Sequence, residues 1–304
     1  MRTLITGATG FIGAAVANHF TEIGHEVDVL DSLTYASDPS RLDSPKHIYA
    51  FDITNPIRLN QQYDYILHFA AETHVDNSII DPGRFVQTNV VGTFNMLEFA
   101  RQQYHLKKFL YFSTDEVFGP APEGVNYKEW DRYNSGNPYA ATKAGAEELV
   151  QAYGNTYDVP VITTHTMNAF GPTQNSEKFI PSTIQKIKTG RTVIIHSDKT
   201  ATKSGSRFYI HTSDIAKAVQ FVIENGEIRD KYNIVGKEET TNLDVALLIA
   251  ELLEEDLDYE MVDFHSARPG HDLRYALDGT KLKEMGWEPS LTLKEGLQDL
   301  LNGS

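Results

Sequence analysis

Two short stretches of the 304-residue chain hold residues whose types and spacing suit proton transfer. In PYAATK, Tyr139 stands four residues before Lys143 and directly after Pro138, so a helix that starts at the proline carries both side chains on one face. In STDEVFG, two adjacent carboxyls, Asp115 and Glu116, follow Ser113 and Thr114 at the end of an apolar run, KFLYFST. Acids in that place either cap the next element in water or form an acid/base pair in a cleft. Adjacent carboxyls suit the second task, because close like charges push their titrations apart and leave one charged and one protonated.

The elements that must position these groups follow an alternating rhythm. Short β-branched or aromatic runs at 2–7, 26–31, 47–52, 64–70, 108–114 and 160–166 read as strands. Amphipathic stretches at 11–23, 84–104 and 138–157 read as helices, the second with Phe85, Val86, Val90, Phe94, Leu97 and Phe99 expected on one buried face. Such alternation is how a parallel sheet with covering helices is written, and the expected fold is α/β: a Rossmann-type doubly wound parallel sheet. Beyond residue 168 the rhythm loosens, with helices expected at 213–225, 243–254 and near 293–301. The expected division is a cofactor domain at 1–168, completed by about 208–235, and a smaller mixed α/β C-terminal substrate lobe occupying most of 169–304.

Directly after the first strand, GATGFIG places Gly7, Gly10, Phe11, Ile12 and Gly13 at a strand-to-helix turn. Glycines there permit a tight turn and a close approach of pyrophosphate to free amides at the positive end of a helix. Asp31 ends the second strand 24 residues after Gly7, where a carboxylate takes ribose hydroxyls and repels a 2′-phosphate. The implied cofactor is NAD rather than NADP. Asp52 and Ile53, at the end of the 47–52 run, and the small residues Ala70 and Ala71 complete the expected cofactor set with Tyr139 and Lys143. An ammonium and an oxidised nicotinamide beside the Tyr139 phenol would lower its pKa well below about 10, making it a base toward a substrate hydroxyl.

Composition narrows the partners. A net charge of −15, from 42 acidic and 27 basic residues, argues against nucleic acid. With no cysteine the chain has no disulfide or thiolate chemistry, which fits a reducing compartment. The N-terminal apolar run is too short for a signal peptide and no uncharged stretch is long enough for a membrane helix, so a cytoplasmic protein without a membrane partner is expected. The 11 histidines form no HExxH or related spacing, and no metal is expected.

The motifs GATGFIG, STDE and YAATK, with DSLTYAS at 31–37, HFAAETHVDNSI at 68–79, TNVVGT at 88–93, SEKFIP at 176–181 and ARPGHDLRYALD at 267–278, resemble the extended short-chain dehydrogenase/reductase family. These are sugar-nucleotide enzymes that keep NAD bound, and TDE points to their 4,6-dehydratases. The resemblance implies catalytic roles for Thr114, Asp115, Glu116, Tyr139 and Lys143. Tyr139 would deprotonate a sugar 4-hydroxyl, Glu116 would remove the proton on carbon 5, and Asp115 would protonate the departing 6-hydroxyl. For the nucleotide sugar it implies His74, Asn168, Glu177, Lys178, Arg207, Arg268, His271 and Tyr275, the two arginines being suited to the diphosphate. It also implies a homodimer through the helices near 84–104 and 138–157. The chain departs from the pattern at Asn77, where relatives carry arginine, at Ala169 and Phe170 in NAFGP, and in RFYIHT at 207–212, which lacks an RDW sequence. All of these lie on the substrate side; the nucleotide stays open between dTDP, the foremost expectation, UDP and others, and an NAD-dependent sugar-nucleotide epimerase or decarboxylase on the same scaffold is the alternative.

Overall fold

A computed structural model describes residues 1–263 and 273–302. The apolar runs become seven parallel strands: β1 (Arg2–Thr6), β2 (Glu26–Asp31), β3 (His47–Ala50), β4 (Tyr65–His68), β5 (Lys108–Thr114), β6 (Val161–Thr166) and, later in the chain, β10 (Lys231–Ile234). Their order is β10-β6-β5-β4-β1-β2-β3, so the winding direction reverses between β1 and β4. A crevice opens at that reversal beyond the carboxyl ends of the strands, which is where such sheets bind ligands.

Alternation along the strands explains why both faces need helices. Ile5, Leu110, Phe112 and Ile162 point to one core with Val16 and Phe20 of α1 (Phe11–Glu22) and Ile215, Val219 and Val222 of α7 (Thr212–Asn225). Leu4, Phe109, Tyr111 and Val161 point to the other, against Met96 and Leu97 of α4 (Gly92–Ala100) and Ala146 and Val150 of α5 (Pro138–Tyr157). Successive residues serve opposite faces, and a strand buried on both faces reads as a continuous apolar run.

The helix expected over 84–104 is resolved differently. A short α2 (Val75–Ile80) and α3 (Pro82–Phe85) lead into a π-helical turn over Val86–Val91 and then α4. Asn89 is buried within that turn; its Nδ2 donates to the Glu72 carbonyl at 3.0 Å and to Thr142 Oγ1 at 3.0 Å, while its Oδ1 accepts the Glu72 amide at 2.8 Å. Nor do the apolar residues share one buried face. Phe85, Leu97 and Phe99 are buried, whereas Val86 and Phe94 are 44% and 42% exposed. Neighbouring residues on a helix lie about 100° apart, so Phe85 and Val86 cannot point the same way.

Between and after these elements a third core forms. β7 (Asn168–Phe170), β9 (Ser206–His211) and β11 (Glu239–Thr241) make a small mixed sheet, and β8 (Val193–Ser197) pairs in parallel with β12 (Tyr259–Asp263). Helices α6 (Phe179–Lys188) and α8 (Asn242–Leu253) and the terminal helix Leu293–Asn302 enclose Phe170, Ile180, Ile195, Tyr209, Val245, Ile249 and Leu297. Residues 212–234 return to the main sheet as α7 and β10. Among the described residues no helix is long and apolar enough to cross a membrane.

Candidate active site

One cavity of about 680 Å³ lies at the reversal point, and it gathers nearly all the residues singled out in the sequence. Its floor is the turn between β1 and α1. Gly7 has φ +68° and any Cβ there would stand 2.7 Å from the Ala70 backbone, while a Cβ on Gly13 would lie 2.3 Å from the Gly7 carbonyl oxygen. Glycine at these two positions is thus dictated by the close approach of the turn, the helix and the segment after β4. Phe11 and Ile12 begin α1 and line the cavity, their amides among those a helix start leaves without intrahelical partners. Asp31 is oriented by three donors: its Oδ2 accepts from the Thr9 amide at 3.0 Å and its Oδ1 from the Leu33 amide and Ser37 hydroxyl, both at 2.9 Å. Asp52, Ile53, Ala70 and Ala71 form further wall, Asp52 fixed by a turn in which its Oδ1 accepts the Thr54 amide at 2.9 Å.

The chemistry-bearing residues meet at the far end. α5 starts where Asn137 caps it, its Oδ1 accepting the Ala140 amide at 2.8 Å with Pro138 at the first helical position. This start sets Tyr139 and Lys143 into the cavity wall, 8% and 3% exposed. Lys143 Nζ donates to the Phe112 carbonyl at 2.7 Å and lies 4.3 Å from the centre of the Tyr111 ring. β5 ends at Thr114, whose hydroxyl donates to Asp115 Oδ1 at 3.0 Å and accepts the Glu116 amide at 3.3 Å. Glu116, half-buried, accepts from Asn137 Nδ2 at 2.8 Å. Both carboxyls line the cavity rather than solvent.

Electrostatics at this end are governed by burial. Asp115 is pushed up to about 6 by desolvation, opposed by Arg207 and by the Thr114 hydroxyl. Glu116 is pushed up to about 7, first by burial and then by the Asp115 charge, with Asn137, Arg207 and Lys178 opposing. Burial also lowers Lys143 to about 7, against the attraction of Glu147. The expectation that Tyr139 falls below its reference is not met by the protein's own groups. Burial, followed by the charge of Glu116, raises the phenol well above 10, while a Thr114 hydrogen bond pulls the other way. A phenol shut away from water beside two carboxyls resists ionising, and Lys143 is drawn to a backbone carbonyl instead.

The substrate candidates separate into three groups. His74, Asn168, Glu177 and Lys178 line the same cavity, with His74 Nε2 4.0 Å from Glu177 Oε2. Arg207 and Tyr275 stand outside that lining: the guanidinium lies 4.7 Å from the centre of the buried Tyr275 ring, and its Nη1 donates to the Ser206 and Leu273 carbonyls at 2.6 and 2.5 Å. Arg207 still reaches the acids through its charge. Arg268 and His271 lie outside the described residues. Sequence reasoning missed Asn137, although an asparagine before proline at a helix start is a cap signal. It also missed Arg84, paired with Glu72 at 2.6 Å on the cavity wall, and Glu147, one turn beyond Lys143.

Buried polar atoms without a partner among the described residues cluster on this wall: Ser113 Oγ, Asp115 Oδ2, Thr166 Oγ1, His74 Nδ1 and Gln174 Oε1. Buried polar groups are nearly always paired, so such a cluster fits a polar ligand. An acid-ended second strand, a glycine turn at a helix start and a Tyr/Lys pair fit a dinucleotide lying across the reversal point.

Fold and site together define a Rossmann-type protein of the extended short-chain dehydrogenase/reductase kind. A family model described as GDP-mannose 4,6 dehydratase matches residues 4–300, and the chain belongs to that family. It is 39% identical, over 98% of its length, to a trifunctional UDP-glucose 4,6-dehydratase/3,5-epimerase/reductase of Arabidopsis thaliana, of which it spans 46%, about half the length of that relative. It is 37% identical to a dTDP-glucose 4,6-dehydratase of Xanthomonas campestris, over 97% of this chain and 90% of the relative. A crystal structure of dTDP-glucose 4,6-dehydratase from Streptomyces venezuelae, solved with NAD bound, superposes with a TM-score of 0.90 at 33% identity, covering 99% of this chain and 96% of the other.

Proposed function

We propose that the protein is an NAD-dependent sugar-nucleotide 4,6-dehydratase, converting an NDP-glucose to the NDP-4-keto-6-deoxyhexose with loss of water. When bound, NAD takes a hydride from carbon 4 of the sugar and returns it to carbon 6. Gly7, Gly10, Phe11, Ile12 and Gly13 would hold the pyrophosphate at the start of α1, and Asp31 the adenosine ribose. Ionised beside the Lys143 ammonium and the positive charge that a bound nicotinamide would bring, Tyr139 would take the proton of the 4-hydroxyl, and the high pKa that burial gives it would make that phenolate a strong base. A ketone at carbon 4 acidifies the hydrogen on carbon 5. One carboxyl of the pair removes that hydrogen and the other donates a proton to the leaving 6-hydroxyl.

The observation that carries this reading is the pair itself: Asp115 and Glu116, both raised into the range of 6 to 7 and both on the cavity wall with Tyr139. Near neutral pH one proton and one charge coexist there, as the elimination requires. Considered alone, the protein favours the proton on Glu116 and the charge on Asp115, which accepts the Thr114 hydroxyl, and this reverses the roles implied by the resemblance. Two acids so close titrate as a unit, so the assignment belongs to the complex with substrate.

dTDP-glucose is the foremost substrate. UDP-glucose is the second reading, favoured by the 39% identity to a UDP-glucose 4,6-dehydratase. The exposed Val86 and Phe94, together with Tyr157, 48% exposed at the end of α5, support a homodimer through α3 to α5. A cytoplasmic location is part of the same proposal. Incubation with dTDP- and UDP-glucose, read by mass, should show loss of one water; Glu116→Gln should still reduce its nicotinamide but release no dehydrated product. A Glu116→Gln variant that dehydrates at the wild-type rate refutes the assignment of the pair.

A further inference from the structure

One turn beyond Lys143 on α5, Glu147 is fully buried, and it is the centre of an ionic cluster that the elimination does not use. Lys231, from β10, places Nζ 2.9 Å from Glu147 Oε1 and 2.6 Å from the Tyr133 hydroxyl. His165, from β6, sets Nε2 3.0 and 3.2 Å from the two carboxylate oxygens. Its Nδ1 is 3.0 Å from Asn233 Oδ1, and the Asn233 amide nitrogen already donates to the Tyr127 and Asp278 carbonyls. Both imidazole nitrogens therefore have hydrogen-bond partners inside the cluster. Tyr133 donates its hydroxyl to the same carboxylate. Although burial alone would favour protonation, these partners hold Glu147 well below the usual carboxylate range.

A buried carboxylate ringed by an ammonium, an imidazole and a phenol is expensive to assemble, and an apolar packing of similar volume is often as stable. Its position suggests what it does. On its own helix the group facing it is Lys143, one turn back; Tyr111 faces it from β5, and Lys231, His165 and Tyr133 from the other side, with the exposed Glu148 acting on Tyr133. Lys143 in turn sees Tyr111, the buried His68 of β4 and the Phe112 carbonyl. Of these, only Glu147 offers it an opposite charge among the described residues. A lysine so deeply buried sheds its proton unless a carboxylate opposes the loss.

We infer that Glu147 is a positioning residue: its buried carboxylate, one turn from Lys143 on α5 and clamped by Lys231 and His165, opposes loss of the Lys143 proton in a desolvated wall. The cluster also ties α5 to β6 and β10, so the same contacts set where Tyr139 stands. The inference rests on the reading of Tyr139 and Lys143 as the proton-transfer pair, and two readouts separate failure of one from failure of the other.

In the full-length protein with NAD, the pH profile of nicotinamide reduction by substrate should have an alkaline limb set by loss of the Lys143 proton. Glu147→Gln should move that limb down by on the order of one pH unit. Lys231→Met, or Lys231→Gln where the first does not fold, removes a cation from the far side of the carboxylate and should move it up. A purely structural cluster lowers thermal stability in all of these and shifts the limb in none, or in one direction for all; either result overturns the inference. The side-chain nitrogen resonance of Lys143, identified by its loss in Lys143→Met and titrated in isotope-labelled protein, should follow the same two directions. If the resonance moves while the kinetic limb does not, the role given to Lys143 falls and that of Glu147 stands; if the resonance stays in place, Glu147 has no such role.

Discussion

Replacing Glu116 by glutamine should stabilise the fold while destroying the elimination, and the stabilisation should depend on pH. The carboxyl rises from an ordinary 4.5 to about 7 on folding, because the site strips water from it and places the Asp115 charge beside it. Below about 4.5 the group is protonated whether folded or not and adds no penalty. As pH rises toward 7 the unfolded chain ionises freely while the folded one resists, so stability drains away across that window and stays lost above it. At about 1.4 kcal/mol per pH unit the full effect is ~3 kcal/mol, and sharing of the charge with Asp115 brings the expected gain to about 2 kcal/mol. Glutamine keeps an oxygen that accepts from Asn137 Nδ2, so the 2.8 Å bond survives while the charge does not. Urea unfolding at pH 8 should show a midpoint above that of wild type, with the two curves converging near pH 5. A variant no more stable than wild type at pH 8 would mean that the wall is wetter than its geometry implies, and the acid/base argument would lose its physical basis.

Asn137→Ala removes both the cap of α5 and the donor to Glu116; stability should fall by about 1 kcal/mol, and the limb of the pH profile that Glu116 sets should move upward as Glu116 loses the bond that favours its charged form. An unchanged pH profile alongside the lost stability would confine Asn137 to capping. Gly7→Ala forces a Cβ to within 2.7 Å of the Ala70 backbone at φ +68°, so the purified variant should carry no NAD and unfold at a temperature several degrees lower, and retention of the cofactor at the wild-type level would contradict the packing described for the turn.

How far the sequence could be read depended on whether a feature is local. β5 and α5 coincide with the stretches 108–114 and 138–157 because an uninterrupted apolar run and a proline start with helical periodicity are each decided by neighbours in sequence. The stretch around 84–104 broke into two helices and a π turn because Asn89 serves the backbone of Glu72, seventeen residues earlier, and Thr142 of α5, far later. Periodicity holds no record of such partners. The same distinction runs through the site. The glycine turn, Asp31 and the Tyr/Lys spacing were legible as types at intervals, and so was the acid pair.

Which acid holds the proton and how far burial lowers the lysine were not legible, and the protein's own groups raise the phenol, because charge state is set by what surrounds a group after folding. Arg207, 92 residues beyond Asp115 in the chain, opposes the rise of both carboxyls; Asn137 opposes that of Glu116; and Glu147 opposes the fall of Lys143. In each case desolvation is the largest influence, and it is contributed by the whole wall rather than by any residue pair. A pattern of residue types therefore names the groups that can move protons, and the packed wall decides which of them hold a proton to give.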